Sequence, residues 1–96
     1  MNTVTTFEMK IVEMFRFSDG RTVFVGPIET NASFLGACRC ELVVDGVSTS
    51  IINIEGEMMP DHQHEKGYRS LSSLDAVDLE SDAIQKSDCR LRQEQR

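Results

Sequence analysis

Two Asp-Gly pairs, Asp19-Gly20 and Asp45-Gly46, constrain this chain more than any other feature, because each stands between runs of alternating apolar and polar residues. Such a pair readily takes the left-handed backbone that a tight antiparallel turn needs, so each predicts a β-hairpin. Ahead of the first turn, Phe7, Met9, Ile11, Phe15 and Phe17 occupy odd positions, with Glu8, Lys10 and Arg16 between them. That is strand periodicity. Val12 and Met14 are apolar and Glu13 breaks the odd run, which predicts a bulge or bend near residues 12–14. The return strand, residues 21–29, is rich in β-branched and aromatic side chains. Pro27 cannot donate to a ladder and places that end at an edge or off the sheet, while Gly26 permits a bulge or a close backbone approach. Around the second turn, Cys38, Cys40, Leu42 and Val44 share one face with Arg39 and Glu41 opposite, and residues 47–55 set Ile52 and Ile54 against Ile51 and Asn53.

Residues 6–55 therefore read as strand-rich, followed by a polar loop over 56–69. A strand within 70–79, a helical turn opened by Ser81-Asp82 and a closing strand over 89–92 complete the chain, with a frayed tail at 93–96. Ser81 suits a helix N-cap and Asp82 the first turn. No repeat or low-complexity linker interrupts the 96 residues, so a single domain over 1–96 is expected.

Residues 7–29, from Phe7-Glu8-Met9-Lys10 through Thr22-Val23-Phe24-Val25-Gly26 to Ile28-Glu29, resemble the opening of the second domain of translational GTPases such as elongation factor Tu. There, a strand ending in an apolar-acidic-apolar-aromatic run precedes a glycine turn and a Thr-Val-x-x-Gly strand. Ala76-Val77-Asp78-Leu79, residues 81–86 and Cys89-Arg90-Leu91-Arg92 stand where that domain has a strand, a short helical segment and a closing strand. The resemblance implies a mainly β fold: a small closed Greek-key β-barrel of about six strands, with one short helix near residues 81–88. It implies a docking module and no GTP chemistry, since the chain has no Gly-x-x-x-x-Gly-Lys-Ser/Thr loop.

Composition narrows the function classes. Ten Lys+Arg against sixteen Asp+Glu give a net charge of −6, which argues against nucleic acid as the main partner. No uncharged stretch exceeds nine residues, and the first residues show neither a basic n-region nor an apolar h-region. Neither a membrane span nor a secretory leader is expected. Three cysteines, an odd number, suit reduced thiols and a cytoplasmic address.

Cys38, Cys40, His62, His64 and Cys89 are potential metal ligands. A Cys-x-Cys pair in a strand puts its sulfurs about 7 Å apart, too far for a tight chelate. Core packing of the cysteines and solvation of the histidines are the plainer reading, so neither metal nor cofactor is expected. No Gly-x-Ser-x-Gly elbow or Cys–His pairing is legible, and the expectation is a non-enzymatic chain.

The charges are uneven. Residues 61–83 hold six acids and two bases, and residues 84–96 hold four bases and two acids. The expected function is a non-catalytic β-barrel that binds another protein through Met58, Met59, His62 and His64 together with Asp75, Asp78, Glu80 and Asp82. The acidic side chains suit a basic protein, and methionines adapt to a binding surface or plug the barrel end. Two alternatives remain open: an acidic, immunity-type neutraliser of a basic protein, and a metal or small-ligand site using the Cys/His set. A homo-oligomer formed through the Pro27 edge is also possible on this reading.

Overall fold

The structure is a computed structural model that describes residues 7–29, 36–58, 68–77 and 79–93. Its strands are β1 (Glu8–Lys10), β2 (Glu13–Arg16), β3 (Thr22–Glu29), β4 (Cys38–Val44), β5 (Val47–Ile54), β6 (Gly56–Glu57), β7 (Tyr68–Ser73) and β8 (Cys89–Gln93), with one helix, α1 (Ser81–Lys86), before β8. The fold is mainly β with one short helix, as the alternating pattern predicts.

The two Asp-Gly turns close differently. At the second, Asp45 (φ 52°) and Gly46 (φ 84°) are both left-handed, the backbone of a two-residue hairpin turn. At the first, only Gly20 is left-handed (φ 94°). Its N–H donates to the Phe17 carbonyl, and Phe17 N–H donates to Arg21. The Asp19 carboxylate accepts from the Arg21 N–H at 2.9 Å and holds the wider loop.

The predicted bend in residues 7–17 is present. β1 and β2 pair with successive parts of β3, Met9 opposite Ile28 and Glu13 opposite Val25. Four steps on one strand therefore match three on the other, so one residue is extra. The bend lies at Ile11 and Val12, where Ile11 N–H donates to Cys89 and Val12 N–H to Val25. Gly26 faces it from β3, buried, and a Cβ there would run into the Lys10 carbonyl.

The inserted residue reverses the faces beyond it. Phe7, Met9, Ile11 and then Met14 are buried, whereas Phe15 and Phe17 are 45% and 46% exposed. The odd-position rule thus fails after Val12, because a bulge moves every later side chain to the opposite face.

The sheet is a curled half-barrel. Its hydrogen-bonded path runs β5-β4-β8-β1-β3-β7-β6, with β2 beside β3. The closed barrel of about six strands is not what forms. The path has two ends, β5 and β6, which are consecutive in the chain and separated by Glu55 alone. Gly56 (φ 147°) turns the chain there, and Glu55 N–H donates to Ser72 as the chain moves onto β7. Two edges joined by a chain bend replace the lateral ladder that closure needs.

Pro27 lies on β3, an interior strand, opposite Tyr68 at the end of the β3–β7 ladder. It leaves no free edge, so the premise for an oligomer built on a Pro27 edge is gone.

The core consists of two cross-strand rows on the concave side. Met9, Leu91 and Leu42 lie abreast on β1, β8 and β4, and Met14, Phe24 and Leu71 on β2, β3 and β7. Ile52, Ile54, Cys40, Cys89, Val77 and Leu79 pack with them. Each of the large side chains contributes about 1.5–3 kcal/mol on burial.

β7 begins at Tyr68, inside the expected 56–69 loop whose start is also strand (β6), and ends at Ser73; its sequence is polar, yet Ser70, Ser72 and Ser73 are buried. Ser73 Oγ donates to the Asn53 carbonyl at 2.7 Å and accepts from Asp75 N–H. α1 starts one residue earlier than expected: Glu80 is the N-cap, without a side-chain cap bond, and Ser81 is the first helical residue. The helix ends at Lys86, and Ser87 N–H donates to Ala83. Among the described residues no helix is long and apolar enough to cross a membrane.

Candidate binding face

The convex surface is divided in two. Over β1, β8 and β4 it is charged. Glu8, Arg92 and Glu41 form one cross-strand row, and Lys10 lies opposite Arg90. Arg90 donates to Glu8 at 3.0 Å and to Asp88 at 3.0 and 3.2 Å, Lys10 reaches Asp88 at 3.3 Å, and Arg92 lies 3.9 Å from Glu41. The Asp88 carboxyl is held below the usual carboxylate range by its hydrogen bonds from Arg90 and then Lys10. Arg90 and Arg92 of the last segment therefore pair with sheet acids and Asp88. The unevenness of the sequence charges does not reveal this, because the partners lie up to 82 positions away.

Over β2, the first half of β3 and β7, the convex surface carries large exposed apolar side chains beside Glu13 and Arg21. Phe15 lies opposite Val23, and Val23 opposite Ser72. One step along, Phe17 N–H donates to Arg21, and Leu74 follows Ser73, the partner of Thr22. Phe15, Phe17 and Leu74 are 45%, 46% and 56% exposed. Arg21 lies between them and reaches Glu55 at 3.8 Å. The other exposed large hydrophobics among the described residues, Val47 and Ile51, are both on β5. A shallow cleft continues from Phe15 around the β2 edge, lined by Val12, Glu13, Met14, Ile84 and Gln85. α1 covers that edge in part. Below it, Arg16 donates from one nitrogen to the Val77 and Leu79 carbonyls, both at 2.6 Å, and pins the segment before α1 to β2.

The residues expected from sequence to form the site are placed as follows. Met59, His62, His64 and Asp78 lie outside the described residues. Met58 is half-buried beyond β6, its N–H donating to Ser70. Asp75 accepts through Oδ2 from the Asn53 backbone N–H at 2.7 Å and from its side-chain amide at 3.1 Å. Its carboxylate ties β5 to the end of β7. Glu80 and Asp82 are exposed at the start of α1. Phe15, Phe17 and Leu74 were not among the expected site residues. The Glu13 interruption, read as a full reversal of faces, is the sequence signal that exposes the two phenylalanines.

The cysteine spacing is also corrected. Cys38 and Cys40 Sγ atoms are 3.9 Å apart, not about 7 Å. The longer figure is the backbone repeat, and strand side chains lean along the strand. Cys38 is half-buried and Cys40 fully buried. The hydrogen bond between them holds the Cys38 thiol below its ordinary value, and the same bond, with burial, pushes Cys40 up. Cys89 is buried, donates to the Ala83 carbonyl at 3.7 Å, and is pushed up by burial and the nearby Asp45 and Asp88. Among the described residues no three His, Cys, Asp or Glu side chains converge on a metal position.

No family model, no curated protein and no solved structure matches this chain.

Proposed function

We propose that this chain is a non-catalytic protein-binding module whose contact surface is the apolar convex face of β2, β3 and β7. The observation that carries this reading is the grouping of Phe15, Phe17 and Leu74, all exposed, on one sheet face. Contiguous exposed apolar side chains mark interaction sites, whereas single ones need no explanation. Aromatic anchors also dominate the energetics of protein interfaces. The acidic side chains of Glu80 and Asp82 extend the surface towards a basic rim on the partner, where charge raises association rate and specificity. A cytoplasmic address and kinship with the second domain of translational GTPases belong to the same proposal. The short helix before the closing strand is in keeping with that kinship.

The test is a binding titration against a partner captured with the wild-type chain. The double substitution Phe15→Ser with Phe17→Ser is expected to weaken binding at least about tenfold while leaving the melting temperature in place. Glu80→Gln with Asp82→Asn is expected to slow association and reduce its salt dependence. Undiminished binding by the phenylalanine variant defeats the proposal. Weakening confined to the acidic variant favours the neutraliser reading instead.

A further inference from the structure

A modification site lies apart from the binding face, in the Cys38–Cys40 pair at the start of β4. The two thiols differ in access: Cys38 is half-buried and Cys40 is fully enclosed in the core. Their sulfurs are already 3.9 Å apart, and a disulfide requires about 2.05 Å. Two residues of strand span about 6.6 Å between Cα atoms, inside the upper limit of about 6.8 Å for a disulfide. The bond is therefore reachable, but near the extended end of its range, where disulfides are more easily reduced.

The place in the sheet makes the remaining movement feasible. Cys38 is the first residue of β4 and pairs with Ile54, the last of β5. On the other side, the described β4–β8 ladder begins only at Cys40 opposite Gln93. The Cys38 backbone is thus held on one side by the described strands, and a shift of the strand end disturbs one ladder. Cys89, the third thiol, lies beside Val44 at the far end of β4. It cannot compete for either sulfur without unfolding.

We propose that Cys38 and Cys40 form a reversible intrastrand disulfide, with a low-molecular-weight disulfide such as oxidised glutathione as the oxidant. The Cys38 thiolate attacks one sulfur of glutathione disulfide, forming a mixed disulfide and releasing one glutathione thiolate. Cys40 then attacks the Cys38 sulfur, forming the intrastrand bond, and its proton passes to the departing thiolate, which leaves as the second glutathione. Two electrons pass from the protein sulfurs to the added disulfide, and an excess of reduced glutathione reverses both steps. The hydrogen bond from Cys40, which favours the Cys38 thiolate, suits Cys38 to the first attack.

The experiment treats the folded chain with oxidised glutathione, quenches in acid, alkylates free thiols in denaturant and maps the peptides by mass. The expected wild-type product has Cys38 and Cys40 joined, lighter by two hydrogens, with Cys89 alkylated; reduced glutathione restores the starting mass. Cys40→Ala is expected to accumulate the mixed disulfide on Cys38. Cys38→Ser is expected to slow glutathione release at least about tenfold. A wild-type chain that stays fully reduced, or that stops at the mixed disulfide, overturns the proposal. So does first reaction at Cys89. The wild-type map decides the matter even if a core substitution at Cys40 prevents folding.

Discussion

The two halves of the convex surface are built from strands of the same sheet, yet they meet solvent differently. Over β1, β8 and β4, buried rows alternate with charged side chains whose partners lie one strand away, as in Glu8–Arg90, or two residues along the chain, as in Arg90–Asp88. Over β2, β3 and β7, Phe15, Phe17 and Leu74 are exposed above buried Val23 and Ser72. The charged half is complete as it stands: acids and bases neutralise one another and hold the strands in register. Among the described residues the apolar half leaves large side chains exposed, and the proposed function rests on this asymmetry. Surface ion pairs add little stability individually, so the charged half serves solubility and register more than strength.

Four variants break or sharpen this contrast. The largest effect is expected where the halves join. Gly26→Ala forces a Cβ against the Lys10 carbonyl in a buried bend, and a denaturant melt should show a loss of about 3 kcal/mol, the upper end for overpacking. If stability is retained, the two halves are not locked together at this bend. Next comes Arg16→Met, which keeps the stem but removes two hydrogen bonds to the Val77 and Leu79 carbonyls. A loss of about 1–3 kcal/mol is expected. Faster amide exchange confined to residues 77–86 would show that Arg16 holds the helix over the β2 edge.

Within the charged half, Asp88→Asn should produce a smaller loss that depends on pH. Asp88 has a depressed pKa in the folded chain, so its contribution is full above the ordinary carboxylate value of 3.8 and is lost as pH falls through the lower folded value. Melts of wild type and variant should differ at neutral pH and converge in acid; a gap that widens in acid contradicts the assignment. The smallest stability change belongs to the apolar half, where Phe15→Ser with Phe17→Ser should leave the melting midpoint almost unmoved, as exposed substitutions do. A large drop there would mean that the phenylalanines are structural cover for Val23 and Val25 rather than contact residues.

The sequence reveals the elements better than their faces. Asp-Gly chemistry and period-two alternation identify β3, β4, β5 and both hairpins, because turn propensity and burial act locally. The bend at Ile11–Val12 is also legible, from Glu13 set between two apolar residues. Which way Phe15 and Phe17 point depends on a single inserted residue, and no local preference counts it. β7 is legible only as a strand within 70–79, and its bounds are not: its serines are polar by composition but buried by position, Ser73 bonding to a strand 20 residues away. The Cys38–Cys40 approach depends on rotamers, and the ion pairs of Arg90 depend on topology. Neither has a sequence period.

The position of β8 has a consequence for synthesis. This strand lies between β4 and β1, yet it follows every other described strand in the chain. While a ribosome is still making it, β1 and β4 each lack a neighbour, and Met9 and Leu42 have no Leu91 to pack against. Pairing β1 with β8 closes a loop far longer than either hairpin and is slow. A nascent chain is therefore expected to lack the β4-to-β1 connection until Cys89–Gln93 has left the exit tunnel, with β8 joining the two strands in a late step.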